Sequence, residues 1–356
     1  MKSYFKNRYF LNAALSLCWL ATAIIGFNGF FKTHELLTVT LFNFQISSVI
    51  TSILGCITFS LPVISLFVNV RIAKWLLFLS ILTYIILIVF DLNRLTPYMV
   101  VYLALFSALI LLKYDSSILY TALLIIASGL YVFSGLHKLN IGFVTNVAPG
   151  LWFHSLPLKY SNTLGYSFAL FEIVVGLSLL IPLARKFACI LLITMHLIIM
   201  WKLSPWKLDW NYIVLPWNLM MMITLAYLFR KSSLSKFKIG SAKTQMIVLG
   251  TFFWVLPILS FIIWIPENLS AKMYSGKSKS GYMIFDKQVD QFKRFDQVPE
   301  KEKMLISLQE FSMIERGIAI HPEKKIYDEI LKNVEKVFPE VDTIYYSHPA
   351  KLKERL

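Results

Sequence analysis

Charge is what this chain has least of. Only 15% of its 356 residues are Asp, Glu, Lys or Arg, and the acids are the scarcer sign, 20 against 35. A soluble domain carries roughly 25% charged residues, so this composition excludes a soluble two-domain protein and a disordered chain alike. Cysteine is nearly absent. Cys18, Cys56 and Cys189 lie singly in apolar runs, with no CxxC pair, which argues against a disulfide framework and a thiol redox centre. There is also no glycine-rich phosphate loop, nucleophile elbow, paired-carboxylate motif or internal repeat, so the common signatures of nucleotide and acyl-transfer chemistry are missing.

Hydrophobic length takes their place. Apolar residues make up 57% of the chain and mean hydropathy is +0.64. A membrane-crossing helix needs about 20 apolar residues, and nine runs qualify: 9–30, 46–68, 73–90, 98–113, 117–137, 166–183, 186–201, 212–229 and 246–265. The expected fold is an all-α polytopic membrane bundle of about nine transmembrane helices over 1–269, with a small α+β extramembrane domain over 270–356. Lys2, Lys6 and Arg8 precede the first run as in a signal peptide. Its long core and the lack of an A-x-A site predict an uncleaved anchor instead.

The net charge of +15 is unevenly placed. Residues 1–269 hold 19 Lys and Arg against 6 acids, whereas 270–356 hold 16 against 14. The excess falls between apolar runs, where the positive-inside rule puts it. The implied partner is therefore a lipid bilayer and not nucleic acid. With the N-terminus cytoplasmic, inner loops carry Arg71, Lys74, Lys113, Arg185, Lys186 and the run Arg230, Lys231, Lys236, Lys238, Lys243. Outer loops carry Lys32, Arg94, Lys138, Lys159, Lys202 and Lys207. Nine crossings then place the C-terminal domain in the periplasm, on a multi-pass protein of the inner (cytoplasmic) membrane. In that domain, 281–286 and 304–311 read as strands. Residues 323–338 read as an amphipathic helix, with Pro322 at its start and Ile326, Ile330, Val334 and Val337 on one stripe.

Ionisable residues inside a bilayer are costly and mark functional sites, and the apolar runs hold few. Glu172 and His196 fall six and five residues below the outer ends of runs six and seven, roughly 8–9 Å deep on one side. Lys138 and His137 close run five, and Asn211 and Asn218 stand seven apart at the start of run eight. Ser128, Tyr131, Gly135 and Lys138 recur at three- and four-residue spacing, a small polar stripe ending in a cation. The segment from Asn140 to Gly165, with Pro149, Gly150, Trp152, Phe153 and His154, reads as an aromatic loop roofing that stripe. Bland readings stand beside these. Glu172 and Lys138 could simply neutralise each other, and His196 could be a satisfied core histidine. Trp152, Trp201, Trp206, Trp210 and Trp217 suit an interfacial belt. His137, His154 and His196 lack HxxxH or ExxH spacing, so no metal site is expected.

The run Tyr131-Val-Phe-Ser-Gly-Leu-His-Lys-Leu-Asn140, with Trp152 after it, resembles the membrane core of vitamin K-dependent gamma-carboxylases. It is similar also to their bacterial relatives, the horizontally transferred transmembrane (HTTM) family. DoxX-like membrane proteins, associated with quinone and thiol redox chemistry, share a comparable Gly-x-x-Lys and helical Glu. The resemblance implies a lysine base acting on a quinone or hydroquinone, a lyase-type chemistry, with Lys138 as the base; the intramembrane Glu172 and His196 are expected as its polar partners. A desolvated lysine amine is a competent general base. Tyr131, Gly135, His137, Asn140, Trp152, His154, Asn211, Trp217 and Asn218 would line the substrate. The tail of about 85 residues is far smaller than the carboxylase's lumenal region, which sets full peptide carboxylation apart. The alternative is a non-catalytic scaffold or accessory subunit whose tail binds a periplasmic protein or peptide.

Overall fold

The computed structural model describes residues 2–42, 44–112, 116–149, 157–208, 210–230, 243–272, 275–276, 280–299, 302–339 and 341–346. It is mostly helical. Each of the nine apolar runs carries helix: α1 (Lys2–Ile25), α2 (Phe27–Phe31), α3 (Ser48–Ile64), α4 (Val70–Phe90), α5 (Pro97–Leu111), α6 (Ser116–Lys138), α7 (Leu158–Ser178), α8 (Arg185–Leu203) and α9 (Val214–Arg230), followed by α10 (Lys243–Gly250) and α11 (Leu256–Leu259). Among the described residues, four stretches are long and apolar enough to cross a membrane: Ser48–Phe67, Val70–Phe90, Ser117–Lys138 and Arg185–Leu203. The helices of runs 1, 4, 8 and 9 are apolar but shorter, at Phe10–Ile25, Pro97–Leu111, Val214–Arg230 and Thr244–Leu259. Phe67, Trp75, Phe78 and Ile85 are exposed on α3's end and α4, the kind of apolar surface that a soluble protein avoids and lipid accepts.

Two compact units make up the chain. The first joins residues 1–22, 59–81 and 97–277. Trp19 of α1 is fully buried there among Phe59, Tyr102 and Phe106, with ring centroids 4.9–5.5 Å apart. α6 is the most enclosed of the long helices and packs on α5, α7, α9 and α10. Its approach to α7 is close because two glycines remove side chains at the contact. A Cβ on Gly135 would stand 2.6 Å from the Ala169 carbonyl oxygen, and one on Gly176 would stand 3.0 Å from Tyr131 Cβ. Small residues serve helix contacts in this way where lipid supplies no hydrophobic drive. Between α10 and α11 the chain widens into a π turn, Thr251–Val255.

The loop reading of 140–165 needs correcting. Phe143–Val147 forms a π turn, and α7 begins at Leu158, seven residues before Gly165. Pro157 stands just outside the helix as its N-cap, with an extended backbone (ψ 141°) that marks where the helix begins. Gly150, Trp152, Phe153 and His154 lie outside the described residues.

The second unit joins 23–58, 82–96 and 278–356. Its antiparallel sheet has the order β2-β1-β3, from β1 (Gly281–Phe285), β2 (Met304–Ser307) and β3 (Val341–Tyr346). Tyr282 faces Ser307 on one side and Tyr345 on the other. The expected strand over 304–311 stops halfway. Ser307 accepts a hydrogen bond from the Glu310 backbone N–H and opens α12 (Leu308–Arg316), because Ser-x-x-Glu is a capping box. α13 (Lys324–Val337) occupies the expected helix; Ile326, Ile330 and Val334 are buried with Phe285, Phe292, Phe311 and Leu37. Val337, the fourth residue of the stripe, is exposed at the helix end.

A buried charge cluster locks this unit. Arg94 donates to the carbonyls of Gly29, Lys32 and Leu87 at 2.9–3.2 Å and lies 3.7 Å from Asp91. Arg316 donates to Asp91 and to the Leu37 carbonyl. Asn93 donates to Leu37 and accepts from the His321 backbone N–H. All of these charged side chains are fully buried.

Candidate functional site

In the first unit, α5–α9 and the π turn enclose a cavity of about 110 Å³. Its walls are Val100, Leu130, Phe143, Phe168, Met195, Phe252 and Phe253, and its polar residues include Tyr131, Ser134, Lys138, Glu172, His196, Lys202, Trp217 and Asn218. Helical spacing puts Tyr131, Ser134 and Lys138 on one face of α6, and Met195, His196, Ile199 and Lys202 on one face of α8.

Two hydrogen-bonded groups meet this cavity. In the first, Lys138 Nζ donates to both carboxylate oxygens of Glu172, each at 2.6 Å, and to Ser134 Oγ at 2.8 Å. Phe143 and Phe168 lie 5.9 and 5.5 Å from the ammonium, close enough for their ring faces to favour the cation. The ion pair is buried, and Lys138 has all three N–H groups occupied.

The second group is a relay whose polarity can be derived. Asn218 Nδ2 lies 2.7 Å from the Val214 carbonyl, which can only accept, so that atom must be the amide nitrogen. Asn218 Oδ1 then faces His196 Nδ1 at 2.6 Å, and Nδ1 must carry the proton. The neutral ring leaves Nε2 as an acceptor, 2.6 Å from Tyr131 Oη. The phenol therefore donates to His196, and Asn218 fixes the tautomer. Trp217 packs edge-on against the His196 ring at 5.7 Å.

The remaining candidates lie elsewhere. Gly135 sits at the α6–α7 contact and Asn140 binds the carbonyls of His137 and Ser275 at 2.7 Å. His137 stacks on Phe261 at 4.3 Å with Ser260 Oγ at 3.1 Å from Nε2. Asn211 takes a left-handed backbone (φ 56°) before α9. None of these four is among the residues lining the cavity. Arg185 binds the Leu179 and Leu180 carbonyls and the Tyr120 hydroxyl. Of the aromatic belt, Trp201, Trp206 and Trp210 are exposed, whereas Trp217 is buried at the cavity. Trp152 and His154 fall outside the described residues. Among the described residues no three His, Cys, Asp or Glu side chains gather as a metal site.

Sequence reading missed Ser134 and Lys202 as lining residues. Ser134 stands four before Lys138, and Lys202 six after His196; both spacings were available. No family model, curated protein or solved structure matches the chain.

Proposed function

We propose that this chain is a multi-pass inner-membrane protein that holds a quinone-like or other lipid-soluble molecule in the cavity and acts on it as an enzyme or redox component. The observation that carries the reading is the convergence of an ion pair and a Tyr–His–Asn relay on one apolar cavity. Polar groups are costly in such surroundings and accumulate there for function. The gamma-carboxylase-like motif around Lys138 points the same way.

The residues suit a quinone ring. An apolar cavity of roughly 150 Å³ accommodates benzene, so about 110 Å³ takes part of a ring or the end of a chain. The Ser134 hydroxyl and the buried Trp217 Nε1–H, which has no acceptor among the described residues, would hold carbonyl oxygens. A bound quinone would supply a two-electron, two-proton couple. The protein's part is proton handling. With its N–H groups occupied, Lys138 works together with Glu172: the carboxylate keeps free lone pairs to take a proton, and the ammonium steadies the oxyanion left behind. Tyr131, donating to His196, is a second proton carrier at the same wall.

The topology proposed with this function has nine crossings, a cytoplasmic N-terminus and 270–356 in the periplasm, so the site opens toward the outer leaflet. Reporter fusions after Ala271 should be active outside and fusions after Lys236 inactive. Mass spectrometry of organic extracts from the purified protein should show a stoichiometric quinone or related lipid that is lost on Lys138→Met. Extracts with nothing beyond bulk phospholipid would remove the proposal.

One observation favours the scaffold reading. A lysine with three satisfied N–H groups is also what a purely structural pair looks like. The double change Lys138→Met with Glu172→Gln separates the two.

A further inference from the structure

Hydrogen-bonding capacity along the cavity wall is used unevenly. Lys138 has no free N–H, both His196 nitrogens are engaged, and Asn218 bonds through both amide atoms. Three lining side chains keep hydrogen atoms unused among the described residues: Ser134 Oγ–H, Trp217 Nε1–H and the ammonium of Lys202. All three are donors.

Lys202 differs from the other two in charge. It lies on the inward stripe of α8 with Met195, His196, Ile199 and Leu203, while Leu197, Ile198 and Trp201 form the exposed side of the same turns. A lysine that merely reaches for the membrane surface belongs on the exposed side. Six residues from His196, Lys202 stands about 9 Å further along the helix axis. Among the described residues, the one carboxylate lining the cavity is Glu172, already held by Lys138 through both oxygens. Among the described residues, the cavity thus keeps one positive charge without a counter-charge.

We propose that the ligand of this cavity is an anionic amphiphile, whose carboxylate or phosphate pairs with Lys202 while its apolar body lies between Phe143, Phe168, Phe252 and Phe253. This rests on the reading of the cavity as a site for a lipid-soluble molecule, and narrows it. The acid marks the Lys202 end of the ligand and leaves its apolar body to run along the wall toward Tyr131 and His196. Trp217 and Ser134 add donors for further acceptor oxygens.

The test uses the full chain in phosphatidylcholine nanodiscs, with octanoate, octyl phosphate and octan-1-ol as probes of matched chain length. The anions should bind at least about tenfold more tightly than the alcohol, with the preference shrinking as salt rises. Lys202→Gln should erase the preference while octanol binding persists, which also shows that the variant is folded; Lys202→Arg should retain it. The ratio of octanoate to octyl phosphate affinity assigns the acid as carboxylate or phosphate. Equal binding of alcohol and anions, or a preference that survives Lys202→Gln, overturns the assignment but leaves the cavity as a ligand site. Binding of none of the three would remove both.

Discussion

The two units bury charge in opposite ways. In the second, Asp91, Arg94 and Arg316 are enclosed by backbone carbonyls from Gly29, Lys32, Leu37 and Leu87. In the first, Lys138 and Glu172 satisfy each other but face open volume beside a tyrosine and a histidine. Burial of an ion pair is expensive in either place. One cluster directs its polarity at the chain itself and fixes a fold; the other directs it at a space that a small molecule can fill.

The largest effect should come from breaking the enclosed cluster. Asp91→Asn strands two buried guanidinium groups and should cost about 3–5 kcal/mol. Thermal unfolding and proteolysis after Ser280 would read it; unchanged protease resistance would show that the cluster is not a lock.

Next comes the pair at the cavity. Lys138→Met should lower activity by about 10²–10⁴ with the fold retained, if the pair acts on protons. If it is structural, the single change should cost about 3–5 kcal/mol, and adding Glu172→Gln should restore stability. A folded Lys138→Met protein with full activity would end the catalytic reading.

Acid should weaken the second unit. Burial lowers the His321 pKa to about 4, outweighing the Glu323 carboxylate 3.7 Å from Nε2. His34 is lowered too, by burial first and then by Arg316. The unfolded chain, with histidines near 6.5, binds more protons between pH 6.5 and 4. Stability is therefore greatest above that window and falls through it, by roughly 3 kcal/mol at most for His321. His321→Gln should flatten the pH dependence of melting; an unchanged slope would place the effect elsewhere.

The smallest effect sharpens the first unit. Gly135→Ala would force a methyl to 2.6 Å from the Ala169 oxygen and should cost about 1–3 kcal/mol by overpacking. A melting point equal to wild type would mean that α6 and α7 can separate freely.

Much of this could be read from residues alone, for physical reasons. Tyr131, Lys138, Glu172, His196 and Asn218 stood out because polar groups are rare in apolar runs, and helical spacing then put them on inward faces. Lys202 reads as a loop charge because the apolar run ends at 201, two residues before α8 stops. Strand and helix traded places after Ser307 because β-rich side chains continue past a capping box that turns the backbone. β3 escaped notice because its pairing with β1 spans more than fifty residues, and no local pattern announces so distant a partner. His137, Asn140 and Gly135 share the motif but turn to other faces, which a linear pattern does not distinguish.

The fixed tautomer of His196 has one more consequence. Its far nitrogen is held by the oxygen of an amide, a group that does not take up protons near neutral pH. A proton passed from Tyr131 to His196 has no onward route along this chain and must return by the way it came. The relay is a reservoir with a single door, not a wire, so any reaction that draws a proton from it must hand that proton back.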